Sequence, residues 1–496
     1  MDCEDHASGA HVHIYTSLSS YQVLQRDQDG YAFVQLSPHD SVTRLGTGGP
    51  YRLGDVHDVY VGDLWVLAGQ SNMRGHGYFS YLDHPDEGRL WDPFVETPDP
   101  KVHLFQSCET WAVANEPLHT LWTSPRLVHH LLRDPTNGGV VQTRQELADK
   151  LKQPHEDARV RGTGLGLTFA RDVVRSTGVP IGLVPCAHGG VSLAQWDPAL
   201  YHEQKQGDAC LYGAMVNKIN ALAPGVAGVL WMQGETDACT ETRDIEACTS
   251  VYGDNMIKLV QVMQHDLGQF VPMTLVYAQI GRYEPNLSTP TQSQALDQSW
   301  NAIRQIQRRL LPRLASTVSG RVHLVSAVDL GICDFVHLST RSLSILGHRM
   351  ATAVTKQMAS PTFVSARADV DSGIDSGAFT DDIRCLVQER PSGVGIICTI
   401  RLQELPSESN YLSSAAGHDF VIRRGQENVP IEHVEFGTPR RYPGWVYIDV
   451  HVWPKTSVSL EQCQVWYGYG QYLECRLVDR YGLALLSTGP MIPQKN

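Results

Sequence analysis

The residues that could do chemistry lie in four short segments that are far apart along the chain. Each segment combines a hydroxyl, amide, carboxyl or imidazole group with a small or turn-forming residue. The segments are Gly69-Gln70-Ser71-Asn72-Met73, Cys186-Ala187-His188-Gly189-Gly190, Gln233-Gly234-Glu235-Thr236-Asp237 and Asp334-Phe335-Val336-His337. Together they contain the group types that nucleophilic attack on an ester carbonyl requires, so they predict an acyl-transfer site.

Ser71 is the predicted nucleophile. It follows Gly69 at the end of a short apolar run, where a strand of an α/β protein would hold the hydroxyl on a sharp turn. The attack needs a neutral imidazole within hydrogen-bond distance, and His337 is the candidate base. Asp334 precedes His337 by three residues, so a turn could bring its carboxylate onto the ring to orient it.

The negative charge that grows on the carbonyl oxygen needs preorganised donors, which form an oxyanion hole. We expect these donors to be the backbone N–H of Ser71, the N–H of Gly190 and the side-chain amide of Gln233. The remaining histidines lack the spacing of a metal site, except His11 and His13, which lie on a predicted edge strand without a third ligand. We therefore predict neither a metal nor another cofactor.

Each motif taken alone also has a simpler structural interpretation. Ser71 could be an ordinary turn serine, and Asp334 could cap a helix that carries His337 at the surface. Gly189-Gly190 could form only a turn, and the Gln233 segment could be only a polar strand end. The occurrence of all four motifs in one chain favours the catalytic interpretation.

The elements that would position these motifs are strands that alternate with amphipathic helices from Asp63 onwards, a pattern typical of a doubly wound parallel sheet. The predicted strands span residues 63–68, 181–186, 226–232, 273–279 and 322–328. All four motifs follow such strands. Because ligands bind outside the carboxyl ends of parallel strands, the motifs should converge.

Composition divides the chain into four predicted regions. Residues 1–60 predict an N-terminal β-rich extension, and residues 61–358 predict the catalytic domain, with an insertion at about 81–161 that is too long for an ordinary loop. We expect this insertion to form a lid or a pocket wall. Residues 359–382 form a polar linker, and the period-2 alternation within residues 383–496 predicts a C-terminal β-sandwich-like domain.

Charge and hydropathy limit the partners and the compartment. The 496 residues carry a net charge of −13, which argues against nucleic acid or a phospholipid surface as a partner. No apolar stretch is long enough to span a membrane, and the first residues lack the pattern of a secretory signal, so we expect a cytoplasmic protein or a processed or leaderless form. The eleven cysteines show no CxxC pair and favour reduced thiols, although Cys239 and Cys248 could be bridged in a processed form. The oligomeric state stays open.

In this order, the four motifs resemble those of the SGNH hydrolases and, within them, the sialate O-acetylesterase and carbohydrate esterase family six branch. The similar segments are residues 62–73, 180–198, 231–237, 334–337 and 346–351. The resemblance implies a flavodoxin-like three-layer α/β/α fold with a five-stranded parallel sheet. It also implies hydrolysis of O-acetyl esters on carbohydrate through an acetyl-Ser71 intermediate.

The resemblance implies the same roles for the site residues, with Glu235 as the alternative to Asp334 as the orienting acid. The family usually has a proline after the histidine, whereas this chain has Leu338. If the sugar is a sialic acid, Arg74 could contact its carboxylate, and Trp196 could stack on a sugar face. The predicted substrate-binding residues are Gln70, Arg74, His188, Gly189, Trp196 and Glu235.

Two other functions remain open at the level of sequence. The same catalytic residues would serve an acetylxylan or other polysaccharide acetylesterase. A non-catalytic carbohydrate-binding protein on an esterase scaffold is the alternative from another class. The joint presence of Ser71, Asp334, His337 and Gln233 favours an enzyme, because a dead site has no physical need to keep all four.

Overall fold

The structure, a computed structural model, describes only part of the chain. The described residues are 13–80, 92–129, 131–133, 140–143, 161–238, 245–268, 270–284, 290–355, 383–390, 393–403, 419–425, 427–436, 440–442, 445–454, 463–470 and 488–491. The predicted linker 359–382 and the side chains of Cys239 and Cys248 lie outside this part. The predicted domain boundaries stay predictions.

The first 355 residues contain sixteen described strands and eight α-helices. The strands are β1 (Ile14–Tyr15), β2 (Val23–Gln25), β3 (Tyr31–Val34), β4 (Thr43–Gly46), β5 (Gly48–Leu53), β6 (Val56–Gly69), β7 (Gly77–Tyr78), β8 (Val102–Phe105), β9 (Trp111–Val113), β10 (Leu131–Arg133), β11 (Val140–Thr143), β12 (Arg161–Thr163), β13 (Ile181–Pro185), β14 (Gly228–Met232), β15 (Thr274–Gln279) and β16 (Val322–Ser326). The helices are α1 (Ser71–Arg74), α2 (Gly166–Thr177), α3 (Ala199–His202), α4 (Leu211–Asn220), α5 (Glu235–Ala238), α6 (Ile245–Leu267), α7 (Pro290–Ala315) and α8 (Thr340–Thr355).

A nine-stranded mixed sheet forms the centre of this region, with the path β16-β15-β14-β6-β13-β8-β9 and with β2 and β5 paired to β6. The five predicted strands are neighbours and run parallel, as in the pairs Leu64–Gly182 and Trp65–Gly228. The expectation of a five-stranded, purely parallel sheet is nevertheless wrong. Strand β8 adds a sixth parallel strand, and β9 pairs with β8 in the antiparallel direction.

The additional strands come from segments that the sequence pattern assigned elsewhere. Strands β8 and β9 belong to the predicted insertion, where the apolar residues of β8 are all buried against β13. Strand β6 begins at Val56 rather than at Asp63, and its first half pairs with β2 and β5 of the N-terminal extension. Residues 81–91, 130, 134–139 and 144–160 of the insertion lie outside the described part, so its role as a lid or pocket wall stays a prediction.

Both faces of the central sheet are covered by helices. Val66 belongs to the apolar cluster that α4, α6 and α7 form, whereas Leu67, the next residue, belongs to the cluster that α2 and α8 form. This alternation is the period of a strand that is buried on both faces. It explains why residues 64–68 of β6 form a continuous apolar run between the two helical layers.

The C-terminal region contains two antiparallel sheets, one of five and one of four strands. Its strands are β17 (Ile383–Arg390), β18 (Gly393–Gln403), β19 (Phe420–Arg424), β20 (Glu427–Val429), β21 (Ile431–Phe436), β22 (Arg440–Tyr442), β23 (Trp445–Pro454), β24 (Gln464–Tyr467) and β25 (Thr488–Met491). Arg304 of α7 donates a hydrogen bond to the carbonyl of Gly470 over 2.6 Å, which joins this region to the α/β layers. Sandwich-like packing of the two sheets stays a prediction. Among the described helices, none has the length and apolarity that a membrane crossing needs.

Candidate active site

Ser71 is the first residue of α1, directly beyond the end of β6. The turn between these elements depends on Gly69, which has a φ of +128°. A Cβ atom at this position would lie 2.1 Å from the carbonyl oxygen of Met232 on the neighbouring strand. Only glycine fits there, so the backbone can turn sharply and hold the Ser71 hydroxyl at the carboxyl edge of the sheet.

The three residues of the predicted triad meet at this edge. His337 Nε2 lies 3.0 Å from Ser71 Oγ, and His337 Nδ1 lies 2.7 Å from Asp334 Oδ2. The other oxygen of Asp334 accepts hydrogen bonds from the backbone N–H groups of Val336 and His337, at 2.9 and 2.7 Å. The short sequence distance between Asp334 and His337 thus closes a turn that fixes both side chains.

The environment of Asp334 keeps its carboxyl group ionised. Burial alone would raise its pKa, but the hydrogen bond and the charge of His337, together with the two backbone N–H groups, hold the pKa well below its usual value. A carboxylate in this position fixes the imidazole tautomer in which Nδ1 carries the proton. His337 Nε2 is then free to accept the proton of the Ser71 hydroxyl.

Arg161 is a neighbour of the triad that the sequence analysis missed. Its Nη1 donates to Asp334 Oδ2 over 2.5 Å, and its Nη2 donates to the hydroxyl of Tyr78 over 2.6 Å. Arg161 belongs to β12, which pairs with β7 just after the nucleophile segment. The oxygen of Asp334 that binds His337 is therefore also held by a guanidinium group.

His76 covers one face of the predicted base. Its ring is stacked on the ring of His337, with centroids 3.8 Å apart and an angle of 16° between the planes. The Nε2 atom of His76 contacts the guanidinium group of Arg74. Because stacking requires only a planar ring, no sequence pattern distinguishes His76 from a surface histidine.

Asn72 links three parts of the site. Its Nδ2 donates to Glu235 Oε1 over 2.7 Å, and its Oδ1 accepts the backbone N–H of Leu338 over 2.9 Å. Glu235, the alternative orienting acid, is therefore bonded to Asn72, while the carboxylate next to the His337 ring is that of Asp334. Burial raises the pKa of Glu235.

The side-chain amide of Gln233, a predicted oxyanion donor, is buried and contacts three protein groups. Its Nε2 donates to the carbonyl of Val191 over 3.2 Å, to Gln70 Oε1 over 3.3 Å and to the carboxylate of Asp237. These protein acceptors already engage the amide, and the role of Gln233 as an oxyanion donor stays a prediction. An amide at a strand end can bind neighbouring loops as well as substrate, and here it joins the loops after β13 and β14.

Gln70, a predicted substrate-binding residue, is likewise buried and structural. Its Oε1 accepts the backbone N–H groups of Gly234 and Thr236, each over 3.3 Å. The side chain therefore fixes the start of α5 beside the nucleophile turn. Gln70 and Gln233 thus have similar environments, because the polar contacts between adjacent strand ends use both amides, and a contact of Gln70 with substrate stays a prediction.

The two backbone N–H groups that are predicted to be oxyanion donors have no protein acceptor among the described residues. Within the described part of the chain, neither the N–H of Ser71 nor that of Gly190 donates to a protein acceptor. Gly190 has a φ of +68°, a left-handed conformation that glycine adopts without strain. Both groups thus keep a free donor in the loops that follow β6 and β13.

Trp196 and His188 were expected to contact substrate, but both are buried. Trp196 is 0% exposed and packs edge to face on Trp231, with ring centroids 5.3 Å apart, because the turn Leu193–Trp196 directs it into the core. His188 is 1% exposed, and burial lowers its pKa to about 4. Neither side chain presents a surface to a ligand.

Arg74 and Gly189 lie against each other. A Cβ atom at position 189 would come within 2.8 Å of Arg74 Nη1, so a side chain there would displace the guanidinium group. Burial, with a smaller effect from Arg161, lowers the pKa of Arg74 to about 10, so the side chain stays cationic at neutral pH. No carboxylate of a described residue forms an ion pair with it.

Comparison with known proteins gives a consistent assignment. Residues 61–356, more than half of the chain, match the family model described as carbohydrate esterase, sialic acid-specific acetylesterase. A probable carbohydrate esterase of Arabidopsis thaliana is 28% identical over 213 residues, which are 41% of this chain and 64% of that protein. The match thus spans less than two thirds of that relative.

One solved structure, that of a carbohydrate acetylesterase, shows a similar fold. The structure of a carbohydrate acetylesterase of Xanthomonas citri covers 96% of this chain and 98% of its own, with 19% identity and a TM-score of 0.54. A solved Arabidopsis thaliana protein covers 59% of this chain and 98% of its own, with 23% identity and a TM-score of 0.37. On the family match over residues 61–356, the chain belongs to the carbohydrate esterase family of sialic acid-specific acetylesterases.

Proposed function

We propose that this protein is a serine esterase that removes acetyl groups from the hydroxyl groups of a carbohydrate. The observation that carries the proposal is the continuous hydrogen-bonded chain from Ser71 Oγ through His337 to Asp334, at 3.0 and 2.7 Å. This order of hydroxyl, imidazole and carboxylate is the arrangement that activates a serine for attack on an ester. The family membership of the chain supports the same reaction.

The first half of the reaction forms an acetyl-enzyme. Ser71 Oγ attacks the acetyl carbonyl while His337 Nε2 takes the hydroxyl proton. The carbonyl oxygen becomes negatively charged and accepts hydrogen bonds from the N–H groups of Ser71 and Gly190. When the tetrahedral intermediate collapses, the bond to the sugar oxygen breaks and His337 gives its proton to that oxygen, which leaves as a hydroxyl group.

The second half releases acetate. A water molecule gives a proton to His337 and attacks the acetyl group on Ser71. The same backbone N–H groups stabilise the second tetrahedral intermediate, and the proton returns to Ser71 Oγ as acetate departs. Asp334 stays ionised throughout because its pKa is low, and it stabilises the imidazolium that forms twice in each cycle.

The residues beside the nucleophile favour a small acyl group. Gly189 packs directly against Arg74, and the loop continues into Gly190 without a side chain. Backbone rather than a deep apolar channel therefore borders the carbonyl, which suits an acetyl group. We expect an acetate ester to react faster than an octanoate ester of the same alcohol.

The charge at the site supports a sialic acid as the sugar. Arg74 and Arg161 both contact His76, and Arg74 has no carboxylate partner among the described residues. A sialic acid carries a carboxylate that could pair with such a cation, whereas acetylated xylan lacks this group. The proposed substrate is therefore an O-acetylated sialic acid.

The test is a mass-spectrometric screen for acetyl loss from O-acetylated sialic acids and from acetylated xylo-oligosaccharides. We expect the wild type to deacetylate a sialic acid, and Ser71→Ala to be inactive but folded. Loss of acetyl groups from the xylo-oligosaccharides alone would contradict the proposal that the substrate is a sialic acid. Equal rates for the wild type and Ser71→Ala would contradict the esterase mechanism.

A further inference from the structure

An exposed aromatic side chain lies inside the catalytic loop. Phe335 lies between Asp334 and His337 in the sequence, and it is 53% exposed. Its ring centroid lies 6.2 Å from that of His337, and the planes are inclined by 61°. A large apolar surface thus remains in contact with solvent immediately beside the predicted general base, although burying a phenylalanine would stabilise the fold.

The surroundings of Phe335 hold it in a fixed position. Its ring meets that of Tyr283 edge to face at 6.1 Å, and Tyr283 is stacked on the fully buried Trp300 at 4.6 Å and 9°. The carbonyl of Phe335 also accepts the backbone N–H of Glu284 over 2.7 Å. We name Phe335 and Tyr283 the aromatic rim. Because the core supports it, the rim is a rigid surface for a ligand.

The proposed reaction states which part of the substrate lies near this rim. His337 Nε2 must give its proton to the leaving sugar oxygen, so that oxygen lies within hydrogen-bond distance of the imidazole. His76 already covers one face of the imidazole ring. The acetyl group, in contrast, lies between Ser71 Oγ and the N–H of Gly190. The sugar ring, and not the acyl group, is therefore the part that comes close to Phe335.

We propose that the aromatic rim is a binding subsite for the leaving sugar, with the phenyl ring of Phe335 packed against the C–H face of the pyranose. An aromatic ring offers a large, rigid apolar face that suits such packing. The subsite rests on the proposed esterase function. It makes Phe335 a determinant of which alcohol is accepted, in addition to the residues that carry out the chemistry.

The test compares two acetate esters that differ only in the alcohol. N-acetyl-4-O-acetylneuraminic acid carries its acetyl group on the pyranose ring itself, so that ring can reach Phe335, whereas the ethanol of ethyl acetate is too small to do so. We expect Phe335→Ala to lower the ratio of kcat/KM for the sugar ester to kcat/KM for ethyl acetate roughly tenfold, mainly through KM. Phe335→Tyr keeps the ring and should keep the ratio.

The matched control is Phe94→Ala, since Phe94 is another exposed phenylalanine, at 37%, and packs over Arg341 instead of the triad. It should leave both rates at the wild-type value. If Phe335→Ala leaves the ratio unchanged, the subsite is overturned and the esterase function stays intact. An equal loss of kcat/KM for both esters would also overturn the subsite, because it would indicate that the substitution disturbs His337. Failure of the wild type to hydrolyse either ester would instead overturn the proposed function.

Discussion

The backbone N–H of Leu338 donates a hydrogen bond to the Oδ1 atom of Asn72 over 2.9 Å. Asn72 follows the predicted nucleophile Ser71 directly, and Leu338 follows the predicted base His337 directly. One hydrogen bond therefore fixes the relative position of two loops that lie 266 residues apart in the sequence. A proline at position 338, which the family usually has, could not make this bond because it lacks an N–H group.

We predict that Leu338→Pro lowers kcat for 4-nitrophenyl acetate roughly tenfold with a smaller change in KM. The substitution leaves the buried Oδ1 of Asn72 without its donor, so the loop that carries His337 loses its anchor. Leu338→Ala is the control, since it keeps the N–H but removes a fully buried side chain. Leu338→Ala should lower the unfolding temperature but change kcat little. A proline variant with the kcat of the wild type would show that the bond does not position His337.

Arg161 should act as a positioning residue for the triad. It shares Asp334 Oδ2 with His337, at 2.5 and 2.7 Å. We expect Arg161→Gln to lower kcat about tenfold while KM changes little, because the charge-assisted hydrogen bond that fixes the carboxylate is weakened. Arg161→Lys, which keeps the charge, should recover part of the loss. Steady-state kinetics with 4-nitrophenyl acetate measures both effects.

Arg175→Gln is the control for Arg161. Arg175 forms an ion pair with Asp172 on the surface, with its side chain 69% exposed. Such a surface pair contributes little to stability, and it does not contact the triad. We therefore expect Arg175→Gln to have the kcat and KM of the wild type. If Arg161→Gln matches this control, the guanidinium group has no part in holding Asp334.

The convergence of Ser71, Asp334 and His337 could be predicted from the sequence because it depends on a general property of parallel sheets. Strand ends meet at one edge, and the three residues follow strands or lie within one turn of each other. The contact of Arg161 with Asp334 could not be predicted, because these residues are 173 positions apart and no periodicity marks the partner.

The burial of Gln233 and Trp196 could not be predicted from the sequence, for one physical reason. Gln233 and Trp196 have side chains that suit both a ligand and a protein environment, and only the packing of the loops decides between them. The number of strands in the central sheet was underestimated for a related reason. Strand β8 has only four residues and pairs with β13, which lies far along the chain, so the isolated sequence resembles part of an irregular insertion.

Two substitutions, each of which replaces a carboxylate with an uncharged amide of similar shape, identify the orienting acid. Asp334→Asn removes the carboxylate next to the His337 ring and should lower kcat by about 10²–10⁴. Glu235→Gln keeps an oxygen that can accept from Asn72, and we expect a change in kcat of less than about tenfold. Circular dichroism would show that both variants are folded. The opposite order of the two effects would transfer the orienting role to Glu235.

His323 gives the fold a dependence on pH that is separate from the catalytic site. It lies on β16 and is 2% exposed, and neither ring nitrogen has a hydrogen-bond partner among the described residues. Burial, with a contribution from the charge of Arg321, lowers the pKa of His323 from 6.5 to about 4. Between these two values the unfolded chain binds a proton that the folded chain does not. The free energy of unfolding therefore falls as the pH drops through this window.

We predict that His323→Leu reduces the loss of stability between pH 7 and pH 5 by about 2 kcal/mol. At pH 7 the variant should be at least as stable as the wild type, because an apolar side chain replaces a buried ring with two unpaired nitrogens. Urea unfolding at the two pH values measures the difference.

Part of the pH dependence of the unfolding free energy should persist in His323→Leu, since burial also lowers the pKa of His188 to about 4. His39→Leu, at an exposed position, is the control and should keep the full pH dependence. Equal pH dependence in His323→Leu and His39→Leu would show that the buried imidazole does not destabilise the fold in acid.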